Sequence, residues 1–196
     1  MLKEQKIPPR LHLRSERVIK SKFDGIEGYF TWPMLYTDMV RKFPNDSVFV
    51  ELGVFKGRSL YFLLDQIKKQ NKSIKVTGID FYKALSEYTY NETIANLSEF
   101  TNYDILNMDS VVASGMFEDN SVDFIFIDAG HTYEEVFSDI VAWLPKMKKG
   151  SIMAGHDYNA TNKPGGYPGV QRAVRGIFRK RVSRRYIDED CWLVRI

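Results

Sequence analysis

The sequence predicts an α/β fold: a mostly parallel sheet covered by helices on both faces. Three observations carry this. Short β-branched or aromatic runs alternate with longer helical patterns for about a hundred residues, which implies right-handed crossovers between parallel strands. The run Val122–Ile127 is nearly continuous in apolar residues, as a strand buried on both sides requires. The predicted strands are also followed by acidic residues, at the edge where open α/β sheets bind ligands.

Residues 1–45 read as an N-terminal arm and helix belonging to the same domain as a core over 46–196. Up to about Lys22 the chain is basic and carries Pro8-Pro9, so it reads as an arm or a short first helix outside the core. In WPMLYTDMVRKF, Leu35, Met39, Val40 and Phe43 fall at helical spacing, with Pro33 suited to a first turn and Pro44-Asn45-Asp46 closing the segment. Strands are predicted at Ser47 to Leu52, Ile74 to Asp80, Tyr103 to Met108, Val122 to Asp128 and Ser151 to Gly155. Helices are predicted at Ser59 to Lys69, Glu92 to Phe100, Ser110 to Met116 and Thr132 to Leu144. A last helix from Val170 to about Arg179 leads to two short segments, Arg181 to Tyr186 and Cys191 to Ile196, which the polar link Ile187-Asp188-Glu189-Asp190 joins as an antiparallel hairpin.

Composition narrows the class. The chain has 196 residues, 44% of them hydrophobic, enough to fold around one core without a metal or cross-link. The net charge of +3 predicts neither a nucleic-acid coat nor a membrane surface. A single cysteine, Cys191, excludes an internal disulfide and favours a reducing compartment. No apolar run approaches the roughly 20 residues that span a bilayer, and the N-terminus lacks the apolar centre of a signal peptide. A soluble cytoplasmic protein is expected.

The strand ends hold the chemistry. The first strand runs into Glu51-Leu52-Gly53-Val54-Phe55-Lys56-Gly57-Arg58-Ser59, a turn with two glycines opening into a helix, where backbone approaches a ligand closely and helix-start amides favour a carboxylate. Asp80 ends the second strand, and a carboxylate there suits a ribose diol. Asp109 follows the third strand, and Asp128 ends the fourth. The dinucleotide fingerprint G-x-G-x-x-G is absent, as is the P-loop G-x-x-x-x-G-K-[ST]. A glycine turn beside Glu51 without a pyrophosphate glycine fits a ligand with an amino-acid end, of which S-adenosylmethionine is one. Gly53 and Gly57 could instead serve only a tight turn, and Asp109 only as a helix N-cap.

The segment VFVELGVFKGRSLYFL resembles motif I of class I S-adenosylmethionine-dependent methyltransferases, in the E-x-G-x-x-x-G-x-S form of the catechol and caffeoyl-CoA O-methyltransferases. VTGIDFY, DSVDFIFIDAGHTYEEV and KKGSIMAGHDY resemble their later signatures, in order. The chain is also similar to a small bacterial and phage group that includes macrocin O-methyltransferase and cephalosporin-hydroxylase-like proteins. The resemblance covers about Ile26 to the C-terminus. It implies a Rossmann-like class I methyltransferase fold with a seven-stranded sheet ordered 3-2-1-4-5-7-6, and an enzyme that uses S-adenosylmethionine. It places Gly53 against the cofactor, Ser59 near its carboxylate, Glu51 near its amino end, Asp80 on the ribose, Asp109 at the adenine and Asp128 at the mouth. IEGYFTW resembles the segment that closes over the cofactor, which implies contacts from Gly28, Tyr29 and Phe30. The aromatic residues of that segment, Trp32 among them, could equally be core anchors.

Two of the three histidines lie beyond the fourth and fifth strands, in Asp128-Ala129-Gly130-His131 and Gly155-His156-Asp157-Tyr158. The resemblance implies a divalent cation, magnesium or manganese, held by Asp128, His156 and Asp157. Imidazole in such a set weakens magnesium in favour of softer metals. Three readings stay open: a metal that activates the acceptor hydroxyl, His131 or His156 as general base, or histidines that only bond loop backbone. The expected partner is a small-molecule acceptor such as a sugar or secondary metabolite, with no large insertion to supply a substrate domain. Acceptor residues would come from the N-terminal arm, the loop from Tyr158 to Gly169, or a second subunit of a homo-oligomer. Between Tyr158 and Ile187 the chain is basic, with Arg172, Arg175, Arg179, Lys180, Arg181, Arg184 and Arg185. This stretch is either a solvated face or a dock for an anionic partner, so a nucleic-acid-directed module is the alternative. The N/D-P-P-[YFW] tetrad of base-directed amino methyltransferases is absent.

Overall fold

A computed structural model describes residues 22–82, 86–159, 166–183 and 185–196. In chain order the elements are α1 (Lys22–Gly25), α2 (Pro33–Lys42), β1 (Val48–Leu52), α3 (Arg58–Lys69), β2 (Lys75–Asp80), α4 (Glu87–Leu97), β3 (Tyr103–Asn107), α5 (Ser110–Ser114), β4 (Val122–Ile127), α6 (Tyr133–Trp143), β5 (Met147–Gly155), α7 (Pro168–Phe178) and β6 (Trp192–Arg195). The strands form one sheet in the order β3-β2-β1-β4-β5-β6, parallel except for β6. Winding reverses between β1 and β4, which opens a crevice beyond their carboxyl ends.

Alternation along each strand sorts the core into two faces. Phe49 of β1 and Phe124 and Phe126 of β4 meet Trp32, Leu35, Tyr36 and Val40 around α2 and Leu60, Leu63 and Leu64 of α3. Val50, Leu52, Ile125 and Ile127 meet Val136, Ile140 and Trp143 of α6 and Val170, Ala173, Val174 and Phe178 of α7. Glu51 shares the parity of Phe49, so the strand turns its carboxylate into the α2/α3 layer. Helix starts are fixed locally: Pro33 opens α2, Ser86 caps α4 by accepting from the Thr89 amide, and Thr132 and Glu135 form a reciprocal cap on α6.

Helix α4 begins at Glu87, five residues ahead of the expected Glu92, because the Ser86 cap sets its start. Strand β5 begins at Met147, four residues ahead of Ser151, with a register shift opposite Val122 and Phe124 and with Gly150 at φ +85. Among the described residues the sheet has six strands where seven were expected. β6 lies against β5, and among the described residues of the segment expected outside it there is one antiparallel bridge, Ser183 to Leu193. Two features draw that segment off the sheet edge: Arg179–Arg181 forms a 3-10 turn, and both Arg185 and Tyr186 donate to the Asp38 carboxylate of α2 at 2.8 Å. Residues 1–21 of the expected arm and the middle of the loop between Tyr158 and Gly169 lie outside the described residues. Among the described residues, no helix is long and apolar enough to cross a membrane.

Candidate active site

The carboxyl ends of β1 to β4 open on a cavity of about 1010 Å3. Gly53 forms its floor at φ +87, and a Cβ there would lie 2.0 Å from the Asp128 carbonyl oxygen. The glycine therefore has a steric cause before any ligand arrives: the first turn of the chain after β1 passes under the backbone that leaves β4. Gly57, at φ +84, caps α3 in a left-handed conformation and packs on Thr93 and Leu97 of α4.

Asp80 stands on the cavity wall and accepts the Val54 and Phe55 amides at 2.8 and 2.7 Å, both through Oδ2. It fixes the glycine turn while facing the ligand space. Asp109 also does two things: it caps α5 by accepting from the Val112 amide at 3.0 Å, and it lines the cavity. Gly28, Tyr29 and Ser59 line the cavity too.

Glu51 and Phe30 do not reach the cavity lining. Glu51 is 1% exposed and lies beneath Ser59, whose hydroxyl donates to Oε1 while the Tyr36 hydroxyl donates to Oε2 at 2.8 Å. Burial pushes its carboxyl up to about 8, against the opposing pull of those two donors. Phe30 packs into an aromatic cluster with Phe23, Trp32 and Phe62, its ring 4.8 Å from that of Phe62. It anchors the covering segment from below, whereas Tyr29, 72% exposed, stands on the cavity side.

At the cavity mouth the four residues beyond β4 and β5 converge. His131 Nε2 lies 2.8 Å from Asp157 Oδ2 and 3.6 Å from Asp128 Oδ1, and its ring stacks on Tyr167 at 4.2 Å. Facing Asp128 and Asp157, His131 is raised to about 9. Burial pushes Asp157 up, but His131 and His156 outweigh it and hold this carboxyl well below the usual range. Its backbone sits at φ +58. Asp128, His131 and Asp157 present donor atoms within 4.8 Å of one another, as a cation site needs. The set expected from sequence contained His156 instead. His156 Nδ1 lies 3.4 Å from Asp157 and 3.9 Å from Asp128, and its Nε2 is bonded to Thr31 Oγ1 at 3.1 Å. His156 thus lies near both Asp128 and Asp157, and it also belongs to a second candidate donor group with Asp157 and Asp190.

A family of sequences described as a methyltransferase domain matches residues 50–158, more than half of the chain. The chain belongs to this family. It is of the class I, S-adenosylmethionine-dependent type, an enzyme class that its strand order also fits. Among curated proteins, an uncharacterized protein of Sinorhizobium fredii is 24% identical over 115 residues; the match covers 55% of this chain and 13% of that protein's length. Among solved structures, an O-methyltransferase of Bacillus cereus in complex with S-adenosylhomocysteine (SAH) is similar with a TM-score of 0.61 and 17% identity, covering 86% of this chain and 85% of that one. A Corynebacterium glutamicum protein has a TM-score of 0.65 and 12% identity, with coverage of 88% and 83%. At such identities the likeness shows the fold.

Three residues of the methyltransferase's site were not singled out from sequence. Tyr36 and Thr31 meet their partners only in the folded state. Asp139 is 3% exposed, lines the cavity and accepts from Ser110 Oγ, and burial raises its carboxyl to about 6. Its signal was readable: it sits in the apolar stripe of Val136, Ile140 and Trp143, where a carboxylate is out of place.

Proposed function

We propose that this methyltransferase transfers the methyl group of S-adenosylmethionine to a hydroxyl oxygen of a small-molecule acceptor, with a divalent cation held by Asp128, His131 and Asp157. The observation that carries this reading is the position of Asp128, which is at once part of the cavity wall and a member of the carboxylate–imidazole cluster outside it. One residue thus joins the space for the methyl donor to the place where an acceptor can be activated.

Within the cavity, Asp80 would take the ribose hydroxyls through its remaining acceptor capacity, and Asp109 would face the purine. Gly53 and the amides at the start of α3 would sit against the amino-acid end. At the mouth, two carboxylates and one imidazole fit a cation, and the mixed oxygen and nitrogen donors suit manganese better than magnesium. When bound there, the ion would lower the pKa of the acceptor hydroxyl. Asp128 and Asp157 would hold the acceptor oxygen in line with the methyl carbon, so positioning supplies much of the acceleration. His131 is poorly placed to be the base in the cation-free protein. Its carboxylate neighbours keep it protonated at neutral pH, with no lone pair for a proton.

Several basic residues that could have favoured nucleic acid are engaged within the fold. Arg175 donates to the Tyr158 hydroxyl, Arg181 to the Arg195 carbonyl and Arg185 to Asp38. This supports the small-molecule reading. The test is a manganese titration followed by electron paramagnetic resonance. The wild type is expected to bind, and Asp128→Asn and Asp157→Asn to lose at least about tenfold in affinity. Unchanged affinity in both variants would remove the cation from the mechanism.

A further inference from the structure

We infer that Thr31 and His156 are positioning residues: they connect the segment covering the methyl-donor cavity to the Asp157 carboxylate at the acceptor mouth. This rests on the cofactor and cation sites proposed above and adds a link between them.

The covering segment is pinned along its length. Arg58 Nη1 donates to the Ile26 carbonyl at 2.6 Å, Lys56 pairs with Glu27 at 2.6 Å, and Phe30 is held in its aromatic cluster. Gly28 and Tyr29, between these anchors, face the cavity. The next residue with a polar side chain is Thr31, which reaches across 125 positions of sequence to His156 Nε2 at 3.1 Å. His156 is buried, its ring 4.5 Å from that of Trp32 and 5.7 Å from that of Tyr29. Its remaining nitrogen, Nδ1, faces Asp157 Oδ1 at 3.4 Å, and the other oxygen of Asp157 takes His131 at 2.8 Å. A continuous polar path therefore runs Thr31, His156, Asp157, His131. Both ring nitrogens of His156 face protein groups, and the ring lies against Trp32 and Tyr29 of the covering segment itself.

Such a ring cannot move independently of its surroundings. A ligand that presses on Gly28 and Tyr29 shifts the segment, the segment carries Thr31, Tyr29 and Trp32, and these set the imidazole that orients Asp157. Outer partners of this kind set the affinity of the ligands they orient. Linkage makes the effect mutual: whatever occupancy of the cavity does to the cluster, occupancy of the cluster does to the cavity.

The test measures manganese affinity by electron paramagnetic resonance, with and without saturating SAH, in wild type, Thr31→Val and Thr31→Ser. Thr31 is exposed, and valine matches its shape, so the fold is spared. SAH is expected to change manganese affinity about fivefold or more in the wild type and in Thr31→Ser, and less than about twofold in Thr31→Val. Manganese titrated alone should bind more weakly to Thr31→Val than to wild type and Thr31→Ser, as loss of an outer partner predicts. A coupling factor in Thr31→Val equal to that of the wild type would overturn the link, as would a wild type that binds both ligands with no coupling; in both cases the two sites stand. A wild type that binds no manganese, or no SAH, would overturn the sites themselves and the link with them.

Discussion

Replacing Gly53 by alanine tests how the cavity floor is built. The new Cβ would meet the Asp128 carbonyl oxygen at 2.0 Å, its carbon at 2.6 Å and Ala129 Cα at 3.0 Å, all backbone atoms that no side-chain rotation can clear. The left-handed backbone at φ +87 adds about 1–2 kcal/mol for a residue with a Cβ. Overpacking of this kind costs typically about 1–3 kcal/mol, so the sum is about 2–5 kcal/mol. In a chain of this length each kcal/mol lowers the melting temperature by about 2–4 °C, which predicts a fall of roughly 4–20 °C in differential scanning calorimetry. SAH affinity should fall as well, since relief of the clash moves Asp128. Gly176→Ala is the control: nothing lies within 4 Å of its added Cβ, in the interior of α7, so a gain of about 0.5–1 kcal/mol is expected. A Gly53→Ala protein that melts within about 2 °C of wild type and keeps its SAH affinity would refute the steric account.

Other outcomes follow from the same structure. Asp80→Ala should abolish SAH binding in calorimetry and lower the melting temperature, because the carboxylate also holds the Val54 and Phe55 amides; unchanged affinity would sink the ribose assignment. Glu51, raised to about 8 when folded from an ordinary 4.5, binds a proton that the unfolded chain has released. Its stabilisation is complete below about 4.5 and is lost as pH rises through 8, so wild type should lose melting temperature relative to Glu51→Gln between pH 5 and pH 9. Parallel pH curves for the two proteins would contradict this. Tyr36→Phe removes one of the two donors to Glu51 and should cost about 1 kcal/mol in urea unfolding, since the other donor remains.

Much of this was legible in the chain because local chemistry fixed it. The strand and helix order followed from periodicity, and Asp80, Asp109 and Gly53 stand where strand ends put them. What escaped depends on contacts distant in sequence. The surroundings of His156 are set by Thr31 and Trp32, more than 120 residues upstream, which contact its ring. Phe30 and Tyr29 are adjacent and chemically alike, yet one enters the aromatic cluster and the other faces the cavity. The seventh strand, absent among the described residues, has the same cause: Arg185 and Tyr186 read as strand formers, but Asp38 of α2 draws them away. Asp139 and Ser86, by contrast, carried local signals, a carboxylate in an apolar stripe and a cap before a helix.

The central claim is that the cavity at the β1–β4 strand ends holds S-adenosylmethionine, and calorimetric titration of SAH into the wild-type chain tests it most directly. The expected result is a single saturable site per chain, competed by S-adenosylmethionine and lost in Asp80→Ala. A titration without binding heat, joined by a melting temperature that excess SAH leaves unmoved, would contradict it.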